Sequence, residues 1–387
     1  MKLEKPISYG RQYITDDDIQ AVVETLRSDF LTQGPKIEEF EESFAQYVGA
    51  KYAVAVANGT AALHLSAMAL QVKPGDNVIV TPLTFAASAN CIRYCGGNVV
   101  FCDIDPENYL LDIEKLKYLL ASKPHGYYKG IIPVDFAGYP IHGEVLKTIA
   151  DEYGLWIIED ACHAPGAYFT DSRGEQQYSG NGNFADLTCF SFHPVKHIAT
   201  GEGGMITTKS KELYDKLLLL RTHGITKKEE LLLENHGGWY YEMQGLGYNY
   251  RLTDFQAALG ISQLKRADKG LQRRQEIARL YSEKFKGISE IITPEVQNDF
   301  FHAYHLYVIQ VDNRLGLYNY LRENNILSQV HYIPVHLMPY YKEFGWKVGD
   351  FPVAERFYKH CLSLPMYPDL NEEELNYVIE KIITFIK

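Results

Sequence analysis

Positive charge is scarce in this chain: 38 Lys and Arg stand against 49 Asp and Glu, a formal charge of −11 over 387 residues. Proteins that hold DNA or RNA carry a basic face as a rule, and this composition offers none, so no nucleic-acid partner is expected. Long apolar runs are also missing. None reaches the roughly 18–20 residues that span a bilayer, and the start, Met1-Lys2-Leu3-Glu4-Lys5-Pro6, is too polar for a signal peptide. The expectation is a cytoplasmic protein with no membrane partner. Cysteine is sparse: six residues, at 91, 95, 102, 162, 189 and 361, lie in apolar surroundings without the spacing of a disulfide framework. They read as reduced core residues. Neither a P-loop nor a GxGxxG motif follows the first strand, which argues against a nicotinamide dehydrogenase of doubly wound fold. No internal repeat, low-complexity tract or charged tail is present.

What the chain does contain, from about residue 52, is an alternation of short β-branched runs with helical stretches, the pattern of a mostly parallel sheet covered by helices. Tyr52–Ala57 reads as a buried strand, Asn58-Gly59-Thr60 as a turn and Ala61–Ala69 as a helix of good formers. Further strands are expected at Asn77–Thr81, Asn98–Phe101, Gly130–Val134, Leu155–Glu159 and Thr188–Phe192. The predicted fold is α/β. After Arg251 the character changes: a long helical stretch to about Phe285 leads to a strand at Tyr304–Val311 and a helix near Arg314–Asn324. An aromatic, Pro-rich loop follows at His331–Tyr341, and a closing helix begins near Asn371. This divides the chain into a large domain, 1–250, and a smaller α+β domain, 251–387.

Three features carry chemistry. In Trp156-Ile157-Ile158-Glu159-Asp160-Ala161-Cys162-His163-Ala164 an apolar strand delivers two carboxylates and a histidine at its carboxyl end, where open α/β sheets gather ligands. The bland reading is that the acidic pair caps a following helix. In Cys189-Phe190-Ser191-Phe192-His193-Pro194-Val195-Lys196-His197 a lysine sits in a restrained loop directly after a buried strand. Apolar neighbours favour its neutral amine, and such a lysine forms Schiff bases; the bland reading is a solvated loop lysine. His193 and His197 share an i,i+4 spacing, but Pro194 argues against an uninterrupted helix and no third ligand is evident, so no metal is expected. Asn58-Gly59-Thr60-Ala61-Ala62 sits at a strand-to-helix junction, where free N–H groups and the helix dipole suit a phosphate; alone it is weak, because many α/β turns contain Asn-Gly. Together the three supply a phosphate cradle, a carboxylate for a pyridine nitrogen and an amine nucleophile, which is the inventory for pyridoxal 5′-phosphate.

Those stretches, with Thr81-Pro82-Leu83-Thr84-Phe85, Gly201-Glu202-Gly203-Gly204 and Gly247-Tyr248-Asn249-Tyr250-Arg251-Leu252-Thr253-Asp254, resemble in order the DegT-type sugar-nucleotide aminotransferases of fold type I. The resemblance covers nearly the whole chain. Trp239–Gln244 and Val330–Tyr341 look most like the branch of the family that works in pseudaminic acid biosynthesis. The resemblance implies that Lys196 forms the Schiff base with the cofactor and that Asp160 keeps the pyridine nitrogen protonated. It sets His163 by the phenolic oxygen, where other members often carry Gln, and Phe85 against the ring face. Thr60, Ala61 and Ser191 would receive the phosphate, with Asn249 contributed by the neighbouring subunit of a homodimer. The presence of lysine at 196 weighs against the dehydratase branch, which carries His there. The implied donor is L-glutamate and the implied acceptor UDP-2-acetamido-2,6-dideoxy-β-L-arabino-hex-4-ulose; a related 4-keto or 3-keto hexose on UDP or dTDP is the alternative. A cofactor-binding regulator without turnover is a further rival. The 331–341 loop, with His331 and Tyr332, and the polar segment Leu31–Pro35, with Thr32 and Gln33, are the stretches set to meet the sugar and diphosphate; the competing reading for each is interdomain or dimer packing.

Overall fold

The computed structural model describes residues 5–387, so Met1–Glu4 of the polar start lie outside the described residues. A seven-stranded sheet organises the first half. Its spatial order is Tyr52–Val56, Gly204–Thr208, Leu187–Ser191, Trp156–Asp160, Tyr128–Ile132, Asn77–Val80, Asn98–Phe101. Gly204–Thr208 runs antiparallel to both its neighbours, and the remaining pairs are parallel. Successive strand side chains point to opposite faces, and the two faces are filled differently. Ala53 and Ala55 turn toward a cluster built from Phe40, Phe44, Phe190 and Phe192, whereas Val54 and Val56 join the larger cluster with Ile79, Ile131 and Ile158.

Six of the seven strands fall within two residues of the runs expected from β-branched content. The seventh, Gly204–Thr208, carries no such expectation because it opens on glycine and contains only one strongly apolar β-branched residue, Ile206. The helical stretch expected as continuous from Arg251 to Phe285 is two helices, Asp254–Leu264 and Ala267–Phe285. They part where Arg266 leaves helical geometry (ψ 14°) while its guanidinium reaches back to the buried Asp18. The first packs on the helices Asp16–Leu26 and Pro35–Val48. A third core cluster joins Ile277 and Tyr281 to Tyr307, Ile309, Leu362, Leu364 and Val378, beneath the antiparallel pair Tyr307–Gln310 and Cys361–Leu364. The helix Pro352–His360 and the strand after it were not foreseen. The closing helix is Glu372–Ile386, capped by the Asn371 side chain on Glu374 N. All six cysteines are free thiols. Among the described residues no helix is long and apolar enough to cross a membrane.

Candidate active site

Register sets the site. Gly204 is paired with Val56 on one side and Ser191 on the other, and Asp160 pairs with Cys189. The carboxyl ends of three strands therefore finish at one edge, and they deliver the Asn58 turn, Ser191 and Asp160 together. The turn passes so close to Gly204 that an added Cβ would lie 2.5 Å from the Asn58 carbonyl oxygen. A Cβ added at Gly59 would likewise lie 3.0 Å from the Ser191 Cβ. Asn58 Oδ1 accepts from Ala61 N at 2.8 Å and caps the helix Gly59–Ala69.

The cavity at this edge has a volume of about 680 Å³, within the range of small-molecule sites. Of the residues singled out in the sequence it collects Thr60, Phe85, Asp160, His163, Ser191, Lys196, His331 and Tyr332. Ala61 is buried behind Thr60 with its N–H engaged by Asn58. Thr32, Gln33 and Asn249 are exposed and do not line this chain's cavity: Thr32 bridges to Thr253, and Asn249 to Thr222. His193 is exposed, and His197 spends Nε2 on the Ala303 carbonyl at 3.0 Å.

Lys196 occupies the turn after the strand Leu187–Ser191, its N–H on the His193 carbonyl at 2.8 Å. No carboxylate among the described residues forms an ion pair with its ammonium nitrogen, and burial pushes its amine below the usual lysine range. A neutral amine is the nucleophilic form. Asp160 is buried and held by two donors: Ser88 Oγ at 2.5 Å on Oδ2 and Cys162 N at 3.2 Å on Oδ1. Ser88 in turn contacts Thr84 Oγ1 at 2.7 Å, so a hydroxyl pair from the start of the helix Ala86–Tyr94 aims the carboxylate into the cavity. Phe85, 61% exposed, presents its ring at the mouth. His331 is buried on Ser363 Oγ (2.8 Å), its pKa lowered to about 3 by burial and by Lys196.

Tyr9, Cys162 and His305, which line the cavity, and Ser88, buried behind Asp160, are residues that sequence reading did not single out. Tyr9 comes from a strand end more than 300 residues from its ring partner His331, 5.1 Å away. Only Ser88 had a signal within reach, a hydroxyl one helical turn after Thr84.

An unpaired lysine, a carboxylate held by two donors, an open aromatic ring and a glycine-lined helix start facing one cavity fit a phosphorylated pyridine aldehyde, and define a pyridoxal-phosphate-dependent enzyme. Residues 12–383 match the model of the DegT/DnrJ/EryC1/StrS aminotransferase family, and the chain belongs to that family. It is similar to the spore coat polysaccharide biosynthesis protein SpsC of Bacillus subtilis, 42% identical, with 98% of this chain and 97% of that protein covered. It is also similar to the UDP-4-amino-4,6-dideoxy-N-acetyl-beta-L-altrosamine transaminase of Campylobacter jejuni, 36% identical over 98% of both chains. Among solved structures, Spr1654 of Streptococcus pneumoniae in its PMP-form superposes with a TM-score of 0.89 at 32% identity, covering 98% of this chain and 99% of that one. Helicobacter pylori PseC, an aminotransferase involved in the biosynthesis of pseudoaminic acid, superposes with a TM-score of 0.88 at 30% identity over 99% of both. The protein is thus a PLP-dependent sugar aminotransferase of fold type I.

Proposed function

We propose that the enzyme moves the amino group of L-glutamate to the 4-keto carbon of the nucleotide sugar UDP-2-acetamido-2,6-dideoxy-β-L-arabino-hex-4-ulose, giving the 4-amino-altrosamine derivative on the route to pseudaminic acid. The observation that carries the aminotransferase reading is Lys196, on the cavity wall with no ion pair among the described residues, beside a carboxylate locked by Ser88 and Cys162 N. The sugar rests on the similarity to the altrosamine transaminase and to PseC. The higher identity to SpsC favours a second reading, in which a related 4-keto or 3-keto hexose on UDP or dTDP is the acceptor. Incubating the purified enzyme with glutamate and a panel of keto sugars separates them. Turnover of the UDP-linked arabino-hexulose above the others supports the first reading, and turnover of a dTDP-linked acceptor alone rejects it.

When bound, the cofactor's pyridinium ring supplies an electron sink for the carbanion that forms at a donor α-carbon. The chain's own groups do the rest. Thr60, Ser191 and the start of the helix Gly59–Ala69 hold the phosphate, where N–H groups and the helix dipole favour an anion, and Ala61, its N–H capped by Asn58, fixes the backbone of that cradle from behind. Phe85 covers the ring face, and His163 stands on the side of the cavity that faces the ring oxygen, its two nitrogens on Ala137 N and the Tyr332 hydroxyl. The Asp160 carboxylate keeps a proton on the ring nitrogen, because an adjacent anion stabilises the cationic form. Lys196 Nζ first anchors the cofactor, then takes a proton from the donor's α-carbon and later returns one to C4 of the sugar. Burial keeps that amine able to accept the proton. His331 and Tyr332 contact the sugar and its nucleotide, and Thr32 and Gln33, which lie outside this chain's own cavity, meet the nucleotide sugar in the cavity of a partner copy. Asn249, exposed and not among the residues lining its own cavity, reaches the phosphate of a partner copy in a homodimer. The division into a cofactor-holding domain, 1–250, and a smaller one, 251–387, belongs to this proposal, as does a cytoplasmic site of action.

A further inference from the structure

The turn Phe136–Gly138 holds an unusual residue. Ala137 has φ 59°, a left-handed conformation that costs an L residue about 1–2 kcal/mol. Neighbours over-determine it: the Ala137 carbonyl accepts from Leu306 N at 3.1 Å and the Gly138 carbonyl from Ala303 N at 2.7 Å. What the strained backbone achieves is to aim the Ala137 N–H at Nδ1 of His163, 3.2 Å away. A backbone amide can only donate, so Nδ1 must accept. Burial and the nearby Lys196 hold the His163 imidazole well below its usual pKa and therefore neutral. A neutral ring that accepts at Nδ1 carries its hydrogen on Nε2.

Nε2 lies 3.1 Å from the Tyr332 hydroxyl oxygen. His163 is then the donor and the phenol oxygen the acceptor, which leaves the phenolic O–H without a protein partner among the described residues. The His305 ring packs against His163, centroids 4.3 Å apart and tilted by 35°. Tyr332 itself lines the cavity with Lys196, Asp160 and Phe85. Burial raises the Tyr332 pKa, so the group keeps its proton and cannot serve as a base near neutral pH.

We propose that Ala137 N–H, His163 and Tyr332 form a hydrogen-bond relay of fixed direction whose last member donates into the cavity to an acceptor oxygen of the bound ligand. That oxygen belongs either to the cofactor ring or to the carbonyl of the keto sugar. The inference rests on the proposed reading of this site. It also explains which side chains position 163 can take. Gln has a carbonyl oxygen to accept from Ala137 and an N–H to donate to Tyr332, whereas Leu has neither.

The test uses Tyr332→Phe, His163→Gln and His163→Leu. In one arm, cofactor-free protein is titrated with pyridoxal 5′-phosphate, and affinity and the pH dependence of the bound cofactor's absorbance are recorded. If the acceptor is the ring oxygen, Tyr332→Phe weakens binding at least fivefold and displaces the absorbance titration. In the other arm, enzyme loaded with pyridoxamine 5′-phosphate is mixed with keto sugar in a single turnover. If the acceptor is the sugar carbonyl, Tyr332→Phe slows this step at least tenfold while cofactor affinity stays unchanged. In either case His163→Leu reproduces the Tyr332→Phe loss and His163→Gln, which keeps an acceptor and a donor, restores most of it. The relay is overturned if Tyr332→Phe matches wild type within twofold in both arms, or if His163→Gln is as damaging as His163→Leu. Wild-type protein that fails to bind the cofactor at Lys196 overturns the functional reading instead.

Discussion

Ser88→Ala removes one hydroxyl and leaves the volume of the site almost unchanged, which makes it a sharp probe of how Asp160 is aimed. Ser88 is fully buried, and its Oγ meets Asp160 Oδ2 at 2.5 Å, a short bond to a carboxylate. Hydrogen bonds to charged groups contribute about 1.5–3 kcal/mol, and leaving a buried acceptor unsatisfied costs a similar amount. After the substitution Asp160 retains one donor, Cys162 N at 3.2 Å on the other oxygen, and Thr84 Oγ1 loses its 2.7 Å partner. A carboxylate held by one oxygen can turn away from the ring nitrogen. At about 1.4 kcal/mol per tenfold in rate, the expected loss in the donor half-reaction is on the order of 10- to 100-fold. Stopped-flow absorbance with glutamate alone reads this step without the sugar. A double-mutant cycle adds the decisive control: in an Asp160→Asn background, Ser88→Ala should change the rate less than twofold, because its only route to the chemistry is then gone. A single Ser88→Ala variant within twofold of wild type, or an undiminished effect on the Asp160→Asn background, refutes the role given to this hydroxyl.

Gly204→Ala should destabilise the protein by about 1–3 kcal/mol through overpacking, since its Cβ would lie 2.5 Å from the Asn58 carbonyl oxygen; chemical denaturation and cofactor affinity should both weaken, and an unchanged midpoint would contradict the tight approach. Beneath Asp160, the buried Asp135 has its pKa raised well above the carboxylate range by burial and by Glu159. The folded state therefore keeps a proton that the unfolded chain releases above about pH 4, and stability falls as pH rises from there through the folded value, by at most about 1.4 kcal/mol per unit. Asp135→Asn keeps a donor toward Glu159 and should flatten that decline, so denaturation curves at pH 5 and pH 8 should converge; a variant as pH-sensitive as wild type would show that Asp135 does not hold the proton. Lys196→Ala should abolish turnover and the visible absorbance of the tethered cofactor while the far-ultraviolet dichroism stays native; near-normal transamination would remove Lys196 from its role.

The parts of the fold visible in the sequence are those where local composition and burial agree. Ile157-Ile158 and Val78-Ile79-Val80 are β-branched and lie deep in the sheet, so their strand character needs no knowledge of partners. Gly204–Thr208 is held by pairing to strands some 15 and 150 residues away in sequence, and its own residues say little. The helix Pro352–His360 is hidden for a related reason: its capping contacts run to Asp103, 250 residues upstream. The site divides along the same line. Lys196 and Asp160 can be found because one follows and the other ends a strand in a recognisable string, whereas Ser88 meets Asp160 across 72 residues and Tyr332 meets His163 across 169. Side-chain hydrogen bonds of that span follow from topology, which a single sequence does not display.

Reducing freshly isolated enzyme with borohydride and mapping its peptides by mass asks most simply whether this cavity performs the chemistry assigned to it. A pyridoxyl-phosphate adduct on the peptide that contains Lys196, and on no other, is the expected finding. An adduct on another lysine, or none on protein saturated with pyridoxal 5′-phosphate, would contradict the assignment of the site at its root.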